Sequence, residues 1–336
     1  MPLALRLQRA WLARGALARV LLPLAWLHGA IVALRRATFH RGWRRIDRLP
    51  VPVIVVGNLI AGGAGKTPTC LAVVELLRRH GWTPGIVSRG YGRSDADDIL
   101  LVTPDTPPAA SGDEPLLMRR RSGAPVVVGR RRALAGRRLL EVRPEVDVIV
   151  CDDGLQHLPL ARDAQVIVFD ERGAGNGWLL PAGPLREPMP AAPPARSVVL
   201  YNAPQPSTRW PGHVVGRRLA RFASLQAWRH GDPTTDAADL RGRPLLAAAG
   251  LAHPQRFFDM LREAGLEISE LALPDHHDFA TLPWPAGTTD VIVTEKDAVK
   301  LDPGRLGGSR VWVATLDFQL PAAFEAELLA LLPARH

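Results

Sequence analysis

One short stretch, Val51 to Pro68 (VPVIVVGNLIAGGAGKTP), restricts the fold of this chain more than any other. The apolar run Val53–Val56 reads as a buried strand, a glycine-rich turn follows, and Gly65-Lys66-Thr67 leads into a helical segment from Thr69 to His80. Strand, glycine loop, Lys-Thr and helix in that order make a cradle for the phosphates of a nucleoside triphosphate. Small residues let backbone N–H groups close around phosphate oxygens, and the helix N-terminus adds partial positive charge. Lys66 reaches the outer phosphates and Thr67 can hold magnesium. The strict pattern has a glycine where Ile60 stands; the glycines fall instead at Gly57, Gly62 and Gly63. The candidate binding loop is Gly62, Gly63, Ala64, Gly65, Lys66, Thr67 and Pro68. Its plain alternative is a glycine turn ahead of an ordinary helix.

Apolar strand candidates recur with helical segments between them: Val53–Val56, Gly85–Ser88, Val126–Val128, Val146–Cys151, Gln165–Phe169 and Val198–Tyr201. That alternation predicts an α/β fold with a largely parallel sheet flanked by helices. A Pro-rich patch, Leu180 to Pro194, interrupts it, and a second set begins near His213. Leu245–Ala249, Val291–Thr294 and Val311–Ala314 are strand candidates there. Pro254–Ala264 and Pro321–Leu332 are helix candidates. The expected division is an N-terminal segment 1–45, a phosphate-loop domain 46–215 and a smaller α/β domain 216–336 that completes a cleft.

A chain of 336 residues is long enough for two domains. Its two cysteines, Cys70 and Cys151, lie inside apolar segments, which implies no disulfide framework and points to a reducing compartment. The formal charge is +9 and the excess is arginine, since only Lys66, Lys296 and Lys300 are lysines. No zinc spacing, RNA-binding signature or interleaving of aromatics with basic residues is present, so nucleic acid is a weak reading of that charge. The N-terminus favours a membrane. Val20 to Leu34 is apolar apart from His28, with Arg6, Arg9, Arg14 and Arg19 before it and Arg35, Arg36, Arg41, Arg44 and Arg45 after it. As a helix this run spans about 22 Å, short of the ~30 Å hydrocarbon core. Pro23 and Gly29 weaken it further, and the preceding arginines do not share one helical face. Shallow insertion with arginines on lipid phosphates is expected. A helix packed on its own domain is the alternative, and a signal peptide fits poorly because no small-residue cleavage site follows.

Chemistry-bearing residues gather at the ends of the strand candidates. The strand Val148–Cys151 ends in Asp152 and Asp153, and an acid there faces the nucleotide site of a phosphate-loop fold and can hold magnesium. Gly154, Gln156 and His157 follow at once. A plain strand-to-turn junction also favours Asp and Gly. Asp113 and Glu114 lie in a short loop before an apolar helix start, where acids also serve as caps. Ser88-Arg89-Gly90-Tyr91-Gly92 follows a strand. Asp275-His276-His277-Asp278 suggests metal binding or proton transfer, without the further ligands zinc requires. Lys296 and Lys300, just after a strand end, are suggestive or plain salt-bridging residues.

Taken in order, these segments resemble one family, the bacterial tetraacyldisaccharide 4'-kinases of lipid A assembly. The resemblance covers nearly the whole chain. It rests on VGNLIAGGAGKTP, SRGYGR at Ser88–Arg93, GDEP at Gly112–Pro115 and DDGLQH at Asp152–His157. It continues through GNGWLLPAGPLREP at Gly175–Pro188, AAGLAHPQRFFDML at Ala248–Leu261, DHHDF at Asp275–Phe279 and TEKDAVKL at Thr294–Leu301. The irregular glycine spacing is that family's own form. The resemblance implies transfer of the γ-phosphate of ATP to the 4'-hydroxyl of a tetraacylated glucosamine disaccharide 1-phosphate, at the cytosolic face of the inner membrane. It implies two α/β/α domains around a cleft and an N-terminal helix at the membrane. Among residues it implies Asp113 as base, oriented by a DHH histidine, His276 in preference to His277. Lys66 would sit on the β- and γ-phosphates, with Mg2+ on Thr67, Glu114 and Asp152. Asp153, Gln156, His157, Arg186 and Glu187 would line the cleft. No nucleic acid and no obligate protein partner are expected. A membrane-associated switch ATPase is the alternative; a non-catalytic scaffold is disfavoured by the intact Lys66, Thr67 and paired acids.

Overall fold

The protein is described here by a computed structural model covering residues 10–95, 97–230, 235–251, 253–275 and 277–334. Two sheets organise it. The first has eight strands: β1 (Val53–Gly57), β2 (Pro84–Ser88), β3 (Leu100–Val102), β4 (Val126–Val128), β5 (Val148–Asp152), β6 (Ala164–Asp170), β7 (Ser197–Asn202) and β8 (His213–Val214). Their spatial order is β3-β4-β2-β5-β1-β6-β7-β8, parallel throughout except for the β3–β4 pair. The β-branched runs of β1 and β5 are buried along their whole length, as strands covered on both faces must be.

The helices of this part are α1 (Ala16–Val20), α2 (Leu22–His40), α3 (Lys66–Arg79), α4 (Pro108–Ser111), α5 (Asp113–Ser122) and α6 (Arg132–Val142). Helix α3 begins three residues earlier than the apolar pattern indicates, because Gly65 adopts φ 88° and caps it. A Cβ at Gly65 would collide with the Asn202 side chain, so glycine is required there for space as well as for conformation.

The second sheet has the order β11-β10-β12-β13-β9, built from β9 (Gly216–Ser224), β10 (Leu245–Ala249), β11 (Ile268–Ala272), β12 (Asp290–Thr294) and β13 (Arg310–Gln319). All its pairs are parallel except β13–β9. Its helices are α7 (Leu225–His230), α8 (Pro254–Glu263), α9 (Glu295–Ala298) and α10 (Ala322–Ala330). A single hydrophobic cluster runs from Ile54, Leu76 and Leu200 through Val293 and Val313 to Phe324, so the two sheets share packed core. Helix α10 returns to the first sheet, with Arg79 pairing Glu325 at 2.6 Å and His213 meeting Glu327 at 2.7 Å.

Helix α2 is continuous from Leu22 to His40, past the end of the apolar run, whose first residue Val20 closes α1. Pro23 lies in its first turn, where no N–H is needed, and Gly29 faces Leu179 closely enough that a Cβ would meet Cδ1 at 2.8 Å. One face is docked: His28 Nε2 lies 3.0 Å from the Arg186 carbonyl oxygen, and Arg36 pairs Glu187 at 2.9 Å. On the other face Leu24, Leu27, Ile31 and Leu34 are 55–65% exposed, at helical three-and-four spacing. No helix among the described residues is long and apolar enough to cross a membrane.

Candidate active site

β1 is flanked by β5 on one side and β6 on the other, and the loops leave the sheet at this reversal of strand order. A crevice at the carboxyl ends of such strands is where open α/β sheets bind ligands. The loop after β1 has little freedom. Ile60 is fully buried and bridges to Leu185, while Ala61 N donates to the Pro184 carbonyl and Arg186 N to that of Leu59, both at 2.8 Å. The residues between Gly57 and Gly62 are thus a scrap of sheet, and an apolar side chain, not a glycine, belongs at position 60. The same pairing delivers Arg186 to the loop.

Side chains that the sequence reading did not single out grip the loop elsewhere. Arg172 donates to the Ala61 and Gly63 carbonyls, each at 3.2 Å, and is held in turn by fully buried Asp170 at 2.8 Å. Asn58 Nδ2 donates to the Gly62 carbonyl at 3.1 Å. Asn202, at the end of β7, donates to the Ala64 carbonyl at 3.1 Å, and its buried Oδ1 has no hydrogen-bond partner among the described residues. Asp170, Arg172 and Asn202 stand far along the chain from the loop. Their one sequence signal is that each lies at or just beyond a strand end.

The two consecutive acids after β5 diverge. Asp152 is 3% exposed and accepts from Ser88 Oγ at 2.9 Å and Cys70 Sγ at 3.6 Å. Burial, then the charges of Glu114 and Asp153, push its carboxyl up to about 6. Asp153 has φ 45°, a left-handed conformation uncommon outside glycine, which turns its side chain toward Lys66 at 3.7 Å and Arg186 at 2.9 Å. Burial alone would raise this carboxyl; Lys66 and Arg186 outweigh it and hold it below the ordinary range. Lys66 also reaches Asn58 Oδ1 at 3.5 Å. Gln156 donates to the Asn58 carbonyl at 3.1 Å and to Glu187 at 2.9 Å, and accepts from Arg186 at 3.3 Å. Lys66, Asp153, Gln156, Arg186 and Glu187 therefore form one connected network, continued to α2 through Arg36. His157 lies beside it. Burial, then Arg132, Arg162, Arg35 and Arg89, depress its imidazole to about 4, so it is neutral at pH 7.

Asp113 and Glu114 form the first turn of α5, where a helix favours negative charge. Gly112 has φ 87°, and a Cβ there would meet the Tyr91 carbonyl at 2.8 Å, so the loop of Ser88–Arg93 seats the start of α5. Glu114 lies near enough to raise the Asp152 carboxyl, which joins these acids to the β5 end. Asp113 Oδ2 lies 3.7 Å from Lys300 Nζ. His276 falls outside the described residues. His277 closes its own turn, its Nδ1 accepting from Phe279 N at 3.1 Å. Thr67 is 9% exposed in the first turn of α3, followed by Pro68. Among the described residues no cluster of three or more His, Cys, Asp or Glu could hold a metal unaided. Thr67, Glu114 and Asp152 are hard oxygen donors, a set that suits a cation whose remaining ligands are phosphate and water.

Comparisons with known proteins agree on one family. The family model described as tetraacyldisaccharide-1-P 4'-kinase matches residues 17–333. A tetraacyldisaccharide 4'-kinase of Leptothrix cholodnii is 58% identical over 340 residues, covering 99% of this chain and 97% of that one. That of Methylibium petroleiphilum is 58% identical over 334 residues, covering 97% and 93%. Among solved structures, the "apo" form of LpxK from Aquifex aeolicus in complex with ATP superposes with a TM-score of 0.78 at 27% identity, covering 94% of this chain and all of that one.

Proposed function

The chain belongs to the tetraacyldisaccharide-1-phosphate 4'-kinase family, ATP-dependent phosphotransferases of lipid A synthesis, and we propose that the loop-and-acid cleft described above carries its transfer chemistry. The observation that carries this reading is the convergence of charges on the β5 end. Asp152 feels Glu114, Asp153 and Lys66 together, so the phosphate loop and both acid pairs share one rim. Phosphoryl transfer needs that kind of site, because positioning and charge neutralisation dominate over covalent chemistry.

In this reading the amides of Gly62–Lys66 and the Lys66 ammonium hold the β- and γ-phosphates of ATP. Thr67, Glu114 and Asp152 would hold Mg2+. The fit rests on the Asp152 carboxyl, raised by burial and then by the neighbouring charge of Glu114, a repulsion that a cation would relieve. Such an ion, when bound, neutralises charge on the β- and γ-phosphate oxygens. Asp113 accepts the proton of the sugar 4'-hydroxyl as that oxygen attacks the γ-phosphorus and ADP departs. His276 is assigned to orient Asp113. Arg186, a planar fork suited to oxyanions, and Asp153, Gln156, His157 and Glu187 line the acceptor side. The division at about residue 215 falls between β8 and β9, and the segments on either side are taken as two domains that close on the substrates.

The acceptor is a lipid, and the α2 stripe gives the cleft a way to reach it. We assign that stripe and its flanking arginines to shallow insertion at the cytoplasmic face of the inner membrane. Arg186 and Glu187 contact the opposite face of the same helix, which supports a cleft opening toward lipid.

The test is incubation with labelled ATP and tetraacyldisaccharide 1-phosphate followed by lipid chromatography. Lys66→Ala should abolish labelled lipid, and Asp113→Ala should slow it at least ~100-fold, the usual loss for a general base. Native turnover in Asp113→Ala removes Asp113 from its role. ATP consumption without labelled lipid would instead support a switch ATPase.

A further inference from the structure

We infer that Lys300 is a positioning residue for phosphoryl transfer, holding the Asp113 carboxylate in place from the second sheet; this rests on Asp113 being the base. The Lys300 side chain is only 6% exposed, with Nζ 3.4 Å from Asp297 Oδ1 and 3.7 Å from Asp113 Oδ2. The Phe279 ring centroid lies 5.2 Å from the ammonium.

Asp297 is the fixed end of this arrangement. It is fully buried, and its Oδ2 accepts from Thr294 Oγ1 at 2.7 Å and from Gly250 N at 3.1 Å. An ammonium paired to such an anchor has little room to move, so the carboxylate it faces is located as well. Asp297 also keeps the ammonium compensated when Asp113 takes up a proton, whereas a buried cation paired to Asp113 alone would lose its counter-charge at that moment.

The choice of side chain supports the same role. All but three of the 42 basic residues are arginines, yet a lysine occupies this position. A planar guanidinium favours two parallel bonds to one carboxylate, while an ammonium is a point charge that can face an anchor, a second acid and a ring together. The helix that carries Asp113 is also pinned at its far end from the same segment, since Arg121 of α5 meets Glu295 at 3.6 Å. Residues 295–300 thus grip both ends of α5, and Lys300 is the grip at the reacting end.

A double-mutant cycle on the full-length protein tests this, with Lys300→Met, Asp113→Asn and the pair assayed on ATP and tetraacyldisaccharide 1-phosphate. Lys300→Met should lower kcat at least ~30-fold with both KM values within ~3-fold, the signature of an interaction made in the transition state. The pair should be no slower than Asp113→Asn alone. Lys300→Arg, which keeps the charge, should recover ~10-fold of the loss. Retained binding of a fluorescent ATP analogue shows that each variant is folded. Near-native kcat in Lys300→Met overturns the inference, as does an Arg variant no better than Met. So does a Lys300→Met loss that multiplies onto Asp113→Asn, which would mean that Lys300 acts through something other than Asp113. Native turnover in Asp113→Asn alone identifies the other failure, that of the base assignment itself.

Discussion

At the scale of single residues, Asp152 and Asp153 are chain neighbours whose carboxyls meet opposite surroundings. One faces Ser88 and the field of Glu114; the other faces Lys66 and Arg186. The left-handed backbone at Asp153 separates them. The folded-state value of Asp152, about 6, lies above its ordinary 3.8, so the native state binds this proton more tightly than the unfolded chain. The stability that gives is full below about 4 and is lost as pH rises through about 6. At neutral pH the buried charge therefore costs up to about 3 kcal/mol in the nucleotide-free protein. Asp152→Asn should be more stable than the native chain at pH 7.5, with the advantage vanishing by pH 4, while transfer falls at least ~100-fold. Denaturant unfolding at the two pH values checks this, and a less stable Asn variant at pH 7.5 would count against it. His157 works the other way. Its neutral form is favoured, so the stability it contributes is present above 6.5 and is lost as pH falls through about 4. An NMR titration should place its midpoint near 4 rather than near 6.5.

At the scale of elements, α2 is where local sequence rules and tertiary placement meet. Pro23 and Gly29 read as weaknesses in an apolar run, but each is placed where a helix tolerates it, the first in the opening turn and the second against Leu179. The stripe of Leu24, Leu27, Ile31 and Leu34 was present in the spacing, yet only the docking of His28 and Arg36 shows which face is left over. Changing Leu24, Leu27 and Ile31 together to Ser should weaken sedimentation with anionic vesicles by ~100-fold or more, from about 1 kcal/mol per half-buried side chain. Thermal unfolding should hardly change, because these side chains touch water in the free protein. Unaltered vesicle binding would place the lipid contact elsewhere. The strands absent from the pattern reading have a common cause. β9 carries Arg217, Arg218 and Arg221 and β11 carries Ser269 and Glu270, because each lies at a sheet edge where one side need not be apolar.

At the scale of the whole molecule, the two sheets are tied by charge as well as by core. Glu295 is 7% exposed, accepts from Trp228 Nε1 at 3.0 Å and meets Arg121 at 3.6 Å; Arg121 also pairs Asp317. Arg256 of α8 likewise reaches Glu171 at 2.7 Å, next to the Arg172 that holds the Gly-rich loop. Glu295→Ala should destabilise the chain by about 2–3 kcal/mol, less than a lone buried pair because Asp317 remains with Arg121. Denaturant unfolding measures it. A cost under about 0.5 kcal/mol would mean that the pair contributes little to joining the sheets.

The Gly-Lys-Thr loop, the α/β alternation, the acids at 113, 114, 152 and 153 as candidates, and the family are all legible along the chain. Each of these is written in neighbouring residues, where backbone period, glycine placement and strand-end chemistry act over a few positions. Tertiary structure decided the rest. It set which of the two acids holds its proton more tightly, why Ile60 belongs in the loop, and that Arg172 and Asn202 support that loop from the ends of β6 and β7. It also put Lys300 beside Asp113 across 187 positions of chain. Burial and Coulomb fields depend on distance in space, and that distance is fixed only when the sheets have formed and packed together.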